Sequence, residues 1–336
     1  MILITGGCGY IGSHIVKLLS EKGEQVVVFD NLSQGSREAL LHNEELVVGD
    51  ITNKEDLKQL FASHDIESVI HLAALVNAKE SVEKPQEYKA VNDQGSQSVW
   101  EAAVATGVKH LLYASSAAVY GNPLSTDPIK ESDPLTPTNP YGETKLAGER
   151  SLIELVPEGA RYGIFRFFNV GGAEEKGRLG QSKDCRAIMP RLFAAAAGIE
   201  DEIVINGHDY DTHDGTVVRD FVHVEDIAFA FTLGLNHLRA DKPSFTINLG
   251  SGEAHTIGEL IKEVSIVTGK NIPVVYGPRK SGDISYSLAD VTLAKEILGW
   301  EPVSTLRLIV KDGWNSDKSF QWQWKLFELR SRDYHV

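Results

Sequence analysis

Short apolar runs alternate with helical spacings through the first half of the chain. Residues 2–5, 25–30, 46–50, 68–73, 110–115 and 162–167 read as strands, several of them apolar almost throughout, as strands buried on both faces are. Residues 12–22, 53–63, 85–106 and 140–155 carry helical periodicity between them. Such alternation predicts an α/β fold with a doubly wound parallel sheet. Two helix starts have a mechanism in sequence. Thr52 or Asn53 can cap the second helix, and Asn139-Pro140 supplies a cap followed by a proline at the first helical position. The second half is less regular. Residues 171–185 read as a loop, 189–197 as a helix and 208–215 as a polar loop. A short strand over 219–224 leads into a helix over 225–235, whose first turn holds Glu225 and Asp226, where the dipole favours acids. A strand over 245–248 and helices over 256–268 and 288–298 follow, the last stopped by Gly299.

Composition narrows the partners. The 336 residues include 33 Lys+Arg and 47 Asp+Glu, a formal charge of −14. Such a chain repels nucleic acid and anionic membrane surfaces, so neither is an expected partner, and a phosphate-bearing ligand must be held by local cations. With two cysteines, Cys8 and Cys185, no disulfide framework is implied. No signal peptide and no membrane-spanning run is read in the sequence, and a cytoplasmic location is expected.

The first chemical motif is Gly6-Gly7-Cys8-Gly9-Tyr10-Ile11-Gly12, directly after the first strand and opening a helix. Glycines let the backbone approach a pyrophosphate, and the helix N-terminus offers N–H groups and positive potential. Asp30 closes the next strand, where a carboxylate can accept from a ribose hydroxyl. An acid there with no arginine just after it favours NAD over NADP. Asp50-Ile51, Leu72-Ala73-Ala74 and Ser115-Ser116 each fall at the carboxyl end of a predicted strand, the edge where ligands lie in open α/β sheets. Small residues there also serve close packing alone.

Tyr141 and Lys145 stand four apart in a helical pattern, on one face of it. An ammonium near a phenol lowers the phenol's pKa from about 10, toward use as a base. Tyr276 and Lys280 repeat the spacing, but Gly277 and Pro278 oppose a helix there. Arg219 and the Arg279–Asp283 stretch are isolated cations that could hold a diphosphate, or simply solubilise the surface. The His208–His213 segment lacks the glycine of a calcium loop and is read as solvated, with no metal expected. Neither cysteine has an argued histidine partner, so both read as incidental thiols.

These motifs together resemble the extended short-chain dehydrogenase/reductase superfamily and, within it, the UDP-glucose 4-epimerase family. The likeness runs from Ile2 to about Trp314. It rests on Thr5–His14, Asp30-Asn31-Leu32, Gly49-Asp50-Ile51, Ala114–Gly121, Asn139–Lys145 and Gly207–Val224. Related dehydratases carry an Asp-Glu pair where this chain has Ala117-Ala118. The resemblance implies a Rossmann-type NAD-binding domain over 1–165 plus 217–243. It implies a smaller C-terminal α/β nucleotide-sugar domain over 166–216 plus 244–336. It also implies a homodimer through the helices near 85–106 and 140–155.

By the same resemblance, Ser116, Tyr141 and Lys145 are the catalytic set for 4-epimerisation of a UDP-hexose. The reaction runs by transient C4 oxidation, rotation of the keto sugar and re-reduction. NAD would be held by Gly6, Gly9, Tyr10, Ile11 and Gly12, by Asp30, Asn31, Asp50 and Ile51, by Leu72, Ala73, Ala74 and Asn92, and by Ser115, Tyr141, Lys145 and Phe167. The UDP-sugar would meet Ser116, Ala117, Ala118 and Tyr141, then Phe168, Asn169, Arg186 and Ile188, then Arg219, Lys280, Asp283 and Ser287. Several positions depart from the family pattern. Val76 stands where a lysine often touches NAD, Phe167 where a tyrosine is usual, Ala118 where threonine is frequent, and Lys280 where an arginine clamps phosphate. Ser287 aligns with a gate that is tyrosine in epimerases restricted to plain hexoses, so room for a 2-acetamido group is expected. Two alternatives stay open: an epimerase for another nucleotide sugar such as UDP-glucuronate or UDP-xylose, and a nucleotide-bound scaffold without activity.

Overall fold

The computed structural model describes residues 1–181, 187–279 and 284–316. Six strands come first: β1 (Ile2–Thr5), β2 (Val26–Asp30), β3 (Glu45–Val48), β4 (Ser68–His71), β5 (His110–Ser116) and β6 (Arg161–Phe167). With Phe245–Leu249 they form one seven-stranded sheet, ordered Phe245–Leu249, β6, β5, β4, β1, β2, β3. Every pairing in it is parallel. The order reverses at β1, between β4 and β2, and the carboxyl-end crevice there is where such sheets bind ligands.

Strand alternation explains the continuous apolar runs. Ile2, Ile4, Val28, Ile70, Leu112 and Phe165 face one core, under the helices Tyr10–Glu21 and Val224–Arg239. Leu3, Val27, Phe29, Val69, Leu111 and Ile164 face the other, under Lys54–Ser63, Ser96–Ala105 and Pro140–Leu155. Each such side chain contributes roughly 1.5–3 kcal/mol when fully buried. A third core lies in the second half, among the helices Ile188–Ala196, Ile257–Thr268 and Leu306–Ser316 and the paired strands Ile203–Asn206 and Val274–Gly277.

The caps hold as expected. Asn53 accepts from the Glu55 N–H at 3.0 Å and Asn139 from the Gly142 N–H at 2.9 Å. Other elements depart from the pattern. Phe245–Leu249, which sequence alone groups with the second region, joins the main sheet beside β6, because its apolar residues are buried by the Rossmann layer. The strand expected over 219–224 breaks at Asp220 into Val218–Arg219 and Phe221–His223. The last expected helix starts only at Thr292, since Ala289 bridges to Ile129 and Tyr286 to Val218. The helix expected over 85–106 exists, but residues Lys89–Gly95 form π-helical turns within it. The periodicity gives no sign of the helices Ala78–Glu83 and Leu306–Ser316 or of the strands Ile203–Asn206 and Val274–Gly277.

Candidate active site

The glycine loop leaves β1 and opens the helix Tyr10–Glu21. Gly6 has φ +71°, and a Cβ there would stand 2.6 Å from the Ala73 nitrogen. At Gly12 a Cβ would stand 2.1 Å from the Gly6 carbonyl oxygen. These glycines let three backbone segments meet at the switch point. Gly9 caps the helix with no side-chain hydrogen bond, which suits a helix start that receives a pyrophosphate before Tyr10, Ile11 and Gly12. Asp30, buried at the end of β2, accepts from the Cys8 N–H at 3.0 Å and the Leu32 N–H at 2.8 Å. Asn31 donates to Asp50 at 2.9 Å, and Thr52 donates to Asp50 through its N–H and its hydroxyl. A cradle that a side chain would fill, an uncapped helix start and a carboxylate on the neighbouring strand fit a dinucleotide.

Several predicted cofactor residues act through the backbone frame. Ile51 packs into the core, 2.9 Å from where a Cβ on Gly95 would stand. Asn92 is fully buried, and its amide clamps Leu75, accepting from the N–H and donating to the carbonyl, both at 2.8 Å. It thereby fixes the segment that follows Leu72, Ala73 and Ala74. The Tyr10 hydroxyl donates to the Gly172 carbonyl at 2.7 Å, tying this helix to the segment after β6. Cys8 is buried, and burial first, then Asp30, pushes its thiol up to about 12, which makes it inert.

The trio predicted to be catalytic, Ser116, Tyr141 and Lys145, sits where β5 meets the helix Pro140–Leu155. Ser116 ends β5 and accepts from the Ala118 N–H at 3.2 Å, capping the turn Ala117–Val119. Tyr141 lies in the first turn of the helix, its ring edge-on to Tyr88 at 6.5 Å. Burial raises its phenol above 10, and a hydrogen bond with Ser116 draws it back. Burial, not the lowering expected from Lys145, sets the direction of the phenol. Lys145 is itself desolvated, which brings its ammonium down to about 7 against the pull of Glu149. Its Nζ donates to the Ala114 carbonyl at 2.8 Å and lies 5.1 Å from the centre of the Tyr113 ring.

The remaining predicted residues flank this trio. Phe167 and Phe168 are buried at the end of β6. The Asn169 N–H donates to the Asp220 carbonyl at 3.0 Å, joining the strand Asn169–Gly171 to Phe221–His223. Arg219 donates to the carbonyls of Val218 and Ile284. The Ser287 N–H donates to the Val218 carbonyl at 3.2 Å, so gate residue and arginine share one strand neighbour. Ile188 opens its helix, half-buried. Ser115 points inward to Glu149, so its side chain serves the framework. Arg186, Lys280 and Asp283 lie outside the described residues. Among the described residues no group of three His, Cys, Asp or Glu side chains could hold a metal.

Two framework acids escape sequence reasoning. Asp220 is fully buried and accepts from Ser251 N–H and Oγ–H, Gly252 N–H and Ala289 N–H. It pins the segments at Ser251–Gly252 and Ala289 beside Asn169 and Arg219. Glu149 is buried against Arg166.

A family model described as "NAD dependent epimerase/dehydratase family" matches residues 2–250. The chain belongs to the NAD-dependent epimerase/dehydratase family. The UDP-glucose 4-epimerase of Halalkalibacterium halodurans is 42% identical over 321 residues, spanning 94% of this chain and 95% of that protein. The solved UDP-glucose 4-epimerase of Stenotrophomonas maltophila, with bound NAD and formylated UDP-arabinopyranose, aligns with a TM-score of 0.91 and 36% identity, over 96% of this chain and 98% of that one. The UDP-Glc/GlcNAc 4-epimerase of Campylobacter jejuni aligns with a TM-score of 0.83 and 33% identity, over 95% of this chain and 99% of that one.

Proposed function

We propose that the chain is an isomerase that interconverts UDP-galactose and UDP-glucose with NAD. The observation that carries the reading is the turn after β5. Ser116 meets Tyr141 there, and the next two side chains are the methyl groups of Ala117 and Ala118. Tyr141 supplies a base from the neighbouring helix and the turn supplies no acid for expelling water, so proton removal is followed by proton return. When bound, NAD would supply the two-electron chemistry, a reversible oxidation at the sugar carbon. Gly6, Gly9 and the first turn from Tyr10 to Gly12 would hold its pyrophosphate, Asp30 its adenosine ribose, and Lys145 its other ribose. Tyr141 takes the proton of the sugar 4-hydroxyl and gives it back, acting as general base and then general acid. Ser116 donates to the reacting oxygen, and Lys145 supplies positive charge to the phenolate. Asn169 and Arg219 hold the sugar nucleotide, the arginine as a partner for phosphate in an acidic protein.

The test is direct. The purified protein is given UDP-galactose, first with no added NAD, and UDP-glucose is quantified by chromatography. Product is expected, and Tyr141→Phe should lose it. Absence of product even with NAD supplied overturns the reading. We infer also that Ser287, with its small side chain, admits 2-acetamido sugars. UDP-GalNAc turnover that Ser287→Tyr abolishes supports this, and wild type without such turnover refutes it. A second copy of the chain is the proposed partner, through the outward faces of the helices within 85–105 and Pro140–Leu155. Sedimentation should give a dimer at micromolar concentration.

A further inference from the structure

We propose that Glu149 is a positioning residue for this reaction: it locks the helix carrying Tyr141 and Lys145 to the strand carrying Ser116, and it holds a negative charge one helical turn from Lys145. The inference rests on the functional reading above. Tyr141, Lys145 and Glu149 follow one another at i, i+4 and i+8 along the helix Pro140–Leu155, which sets all three toward the same neighbour. That neighbour is β5, which meets the helix over three consecutive residues. Lys145 donates to the Ala114 carbonyl, Ser115 Oγ donates to Glu149, and Ser116 stands by Tyr141 and draws its phenol down. Glu149 is thus the third peg of a single register.

Its far side is equally fixed. Arg166 of β6 grips both carboxylate oxygens, Nε to Oε1 at 3.0 Å and Nη2 to Oε2 at 2.7 Å. Its Nη1 donates to the Tyr120 hydroxyl at 3.0 Å, and that hydroxyl donates to Asn248 at 2.6 Å. Glu149 and Arg166 are only 2% and 5% exposed. Burying such a pair forfeits hydration that an apolar pair of similar volume would never need, so stability alone is a poor reason for it. What a bidentate pair supplies is geometry and a fixed charge.

The charge has a recipient. Lys145 faces Tyr113 of β5 and His71 of β4, and desolvation works against its ammonium. Glu149, on its own helix, favours that ammonium, and Arg166 and Tyr120 lie beyond Glu149. Without Glu149, Lys145 loses its proton at lower pH and the phenolate of Tyr141 loses its counter-charge.

The experiment uses the full NAD-loaded protein and two variants, Glu149→Gln and the double variant Glu149→Gln/Arg166→Met. The double variant removes both charges, so no orphan guanidinium is left to unfold the chain. Epimerisation is followed across pH, and the Lys145 ammonium is titrated by NMR of 13Cε-labelled lysine, assigned by its loss in Lys145→Met. In both variants kcat should fall about tenfold with KM within about twofold, and the alkaline limb of kcat and the Lys145 midpoint should each move down by about one pH unit. The double variant should regain thermal stability over the single one without regaining kcat. A double variant with the wild-type limb and wild-type Lys145 midpoint overturns the inference, since Glu149 would then serve packing alone. If wild type lacks 4-epimerase activity, the functional reading fails while the Lys145 titration still decides this one.

Discussion

Gly142 follows Tyr141 in the chain, and its missing side chain sets how closely the catalytic helix approaches the Ser116 turn. A Cβ at this position would stand 2.5 Å from the Ala118 carbonyl oxygen and 3.0 Å from Pro137 Cβ. An ordinary contact begins near about 3.5 Å, so in Gly142→Ala the helix start must yield by about 1 Å. The first obstacle is backbone within the turn that Ser116 caps, which cannot rotate aside as a side chain would. Stability should change little. Overpacking costs about 1–3 kcal/mol, while alanine in place of glycine in a helix returns about 0.5–1 kcal/mol. Activity should change much more, because a displacement of about 1 Å at reacting groups costs on the order of 100-fold. The assay pairs a thermal melt with kcat for UDP-galactose conversion. A melt within a few degrees of wild type beside a kcat lowered about 100-fold is expected. A kcat within about threefold of wild type would refute the view that this contact positions Tyr141 against Ser116.

Other perturbations follow from the same geometry. Gly12→Ala puts a Cβ 2.1 Å from the Gly6 carbonyl; wild type should gain about 2.7 kcal/mol of stability at 100 times the NAD Kd, and the variant should gain nothing at the same concentration in a thermal-shift titration. Asp220→Asn replaces a four-fold acceptor by a group that also donates; a loss of about 3 kcal/mol should appear in urea unfolding, and a loss below about 1 kcal/mol contradicts the clamp. His71 and His14 are held neutral by burial, with pKa values lowered to about 3 and about 4. The unfolded chain binds these protons first, so their contribution is intact above about pH 6.5 and is lost as pH falls from there toward the folded values, at up to about 1.4 kcal/mol per pH unit for each group. Urea midpoints at pH 7.5 and pH 5 should therefore differ less in His71→Gln than in wild type, and an equal difference sinks the argument.

Most of the sheet was legible in sequence because a parallel strand buried on both faces has few ways to be written. β1, β2 and β6 match their apolar runs to within a residue at each end. The glycine loop, Asp30 and the Tyr141–Lys145 spacing were legible for a similar reason: each chemistry admits few residue types at few spacings. The second region was harder. Ile203–Asn206 and Val274–Gly277 are short strands that, among the described residues, pair with each other alone, half-exposed and far apart in sequence. The π-helical turns over Lys89–Gly95 hide from a 3.6-residue period by definition. Glu149 and Asp220 were missed, and the hold of Asn92 on Leu75 went unread, because these groups work through partners distant in sequence. Arg166, Ser251, Ala289 and Leu75 give them meaning only once the chain has folded. Sequence reasoning finds groups aimed at a ligand more readily than groups aimed at other groups.

The seventh strand has a consequence for how the protein is made. β6 ends at Phe167, yet its outer neighbour begins at Phe245, so the ribosome must add about 80 more residues before that edge can be covered. At roughly 5–20 residues per second this interval is about 4–16 s. Throughout it, a nascent chain that has already assembled six strands presents an apolar, unpaired edge, the kind that recruits foreign strands. The helix Val224–Arg239 emerges just ahead of the missing strand and packs on the face of β5 and β6, so it covers that face and leaves the edge to the strand itself. Synthesis of this enzyme thus contains a timed vulnerability, set by chain order rather than by stability, during which a chaperone that binds extended apolar segments has the most to protect.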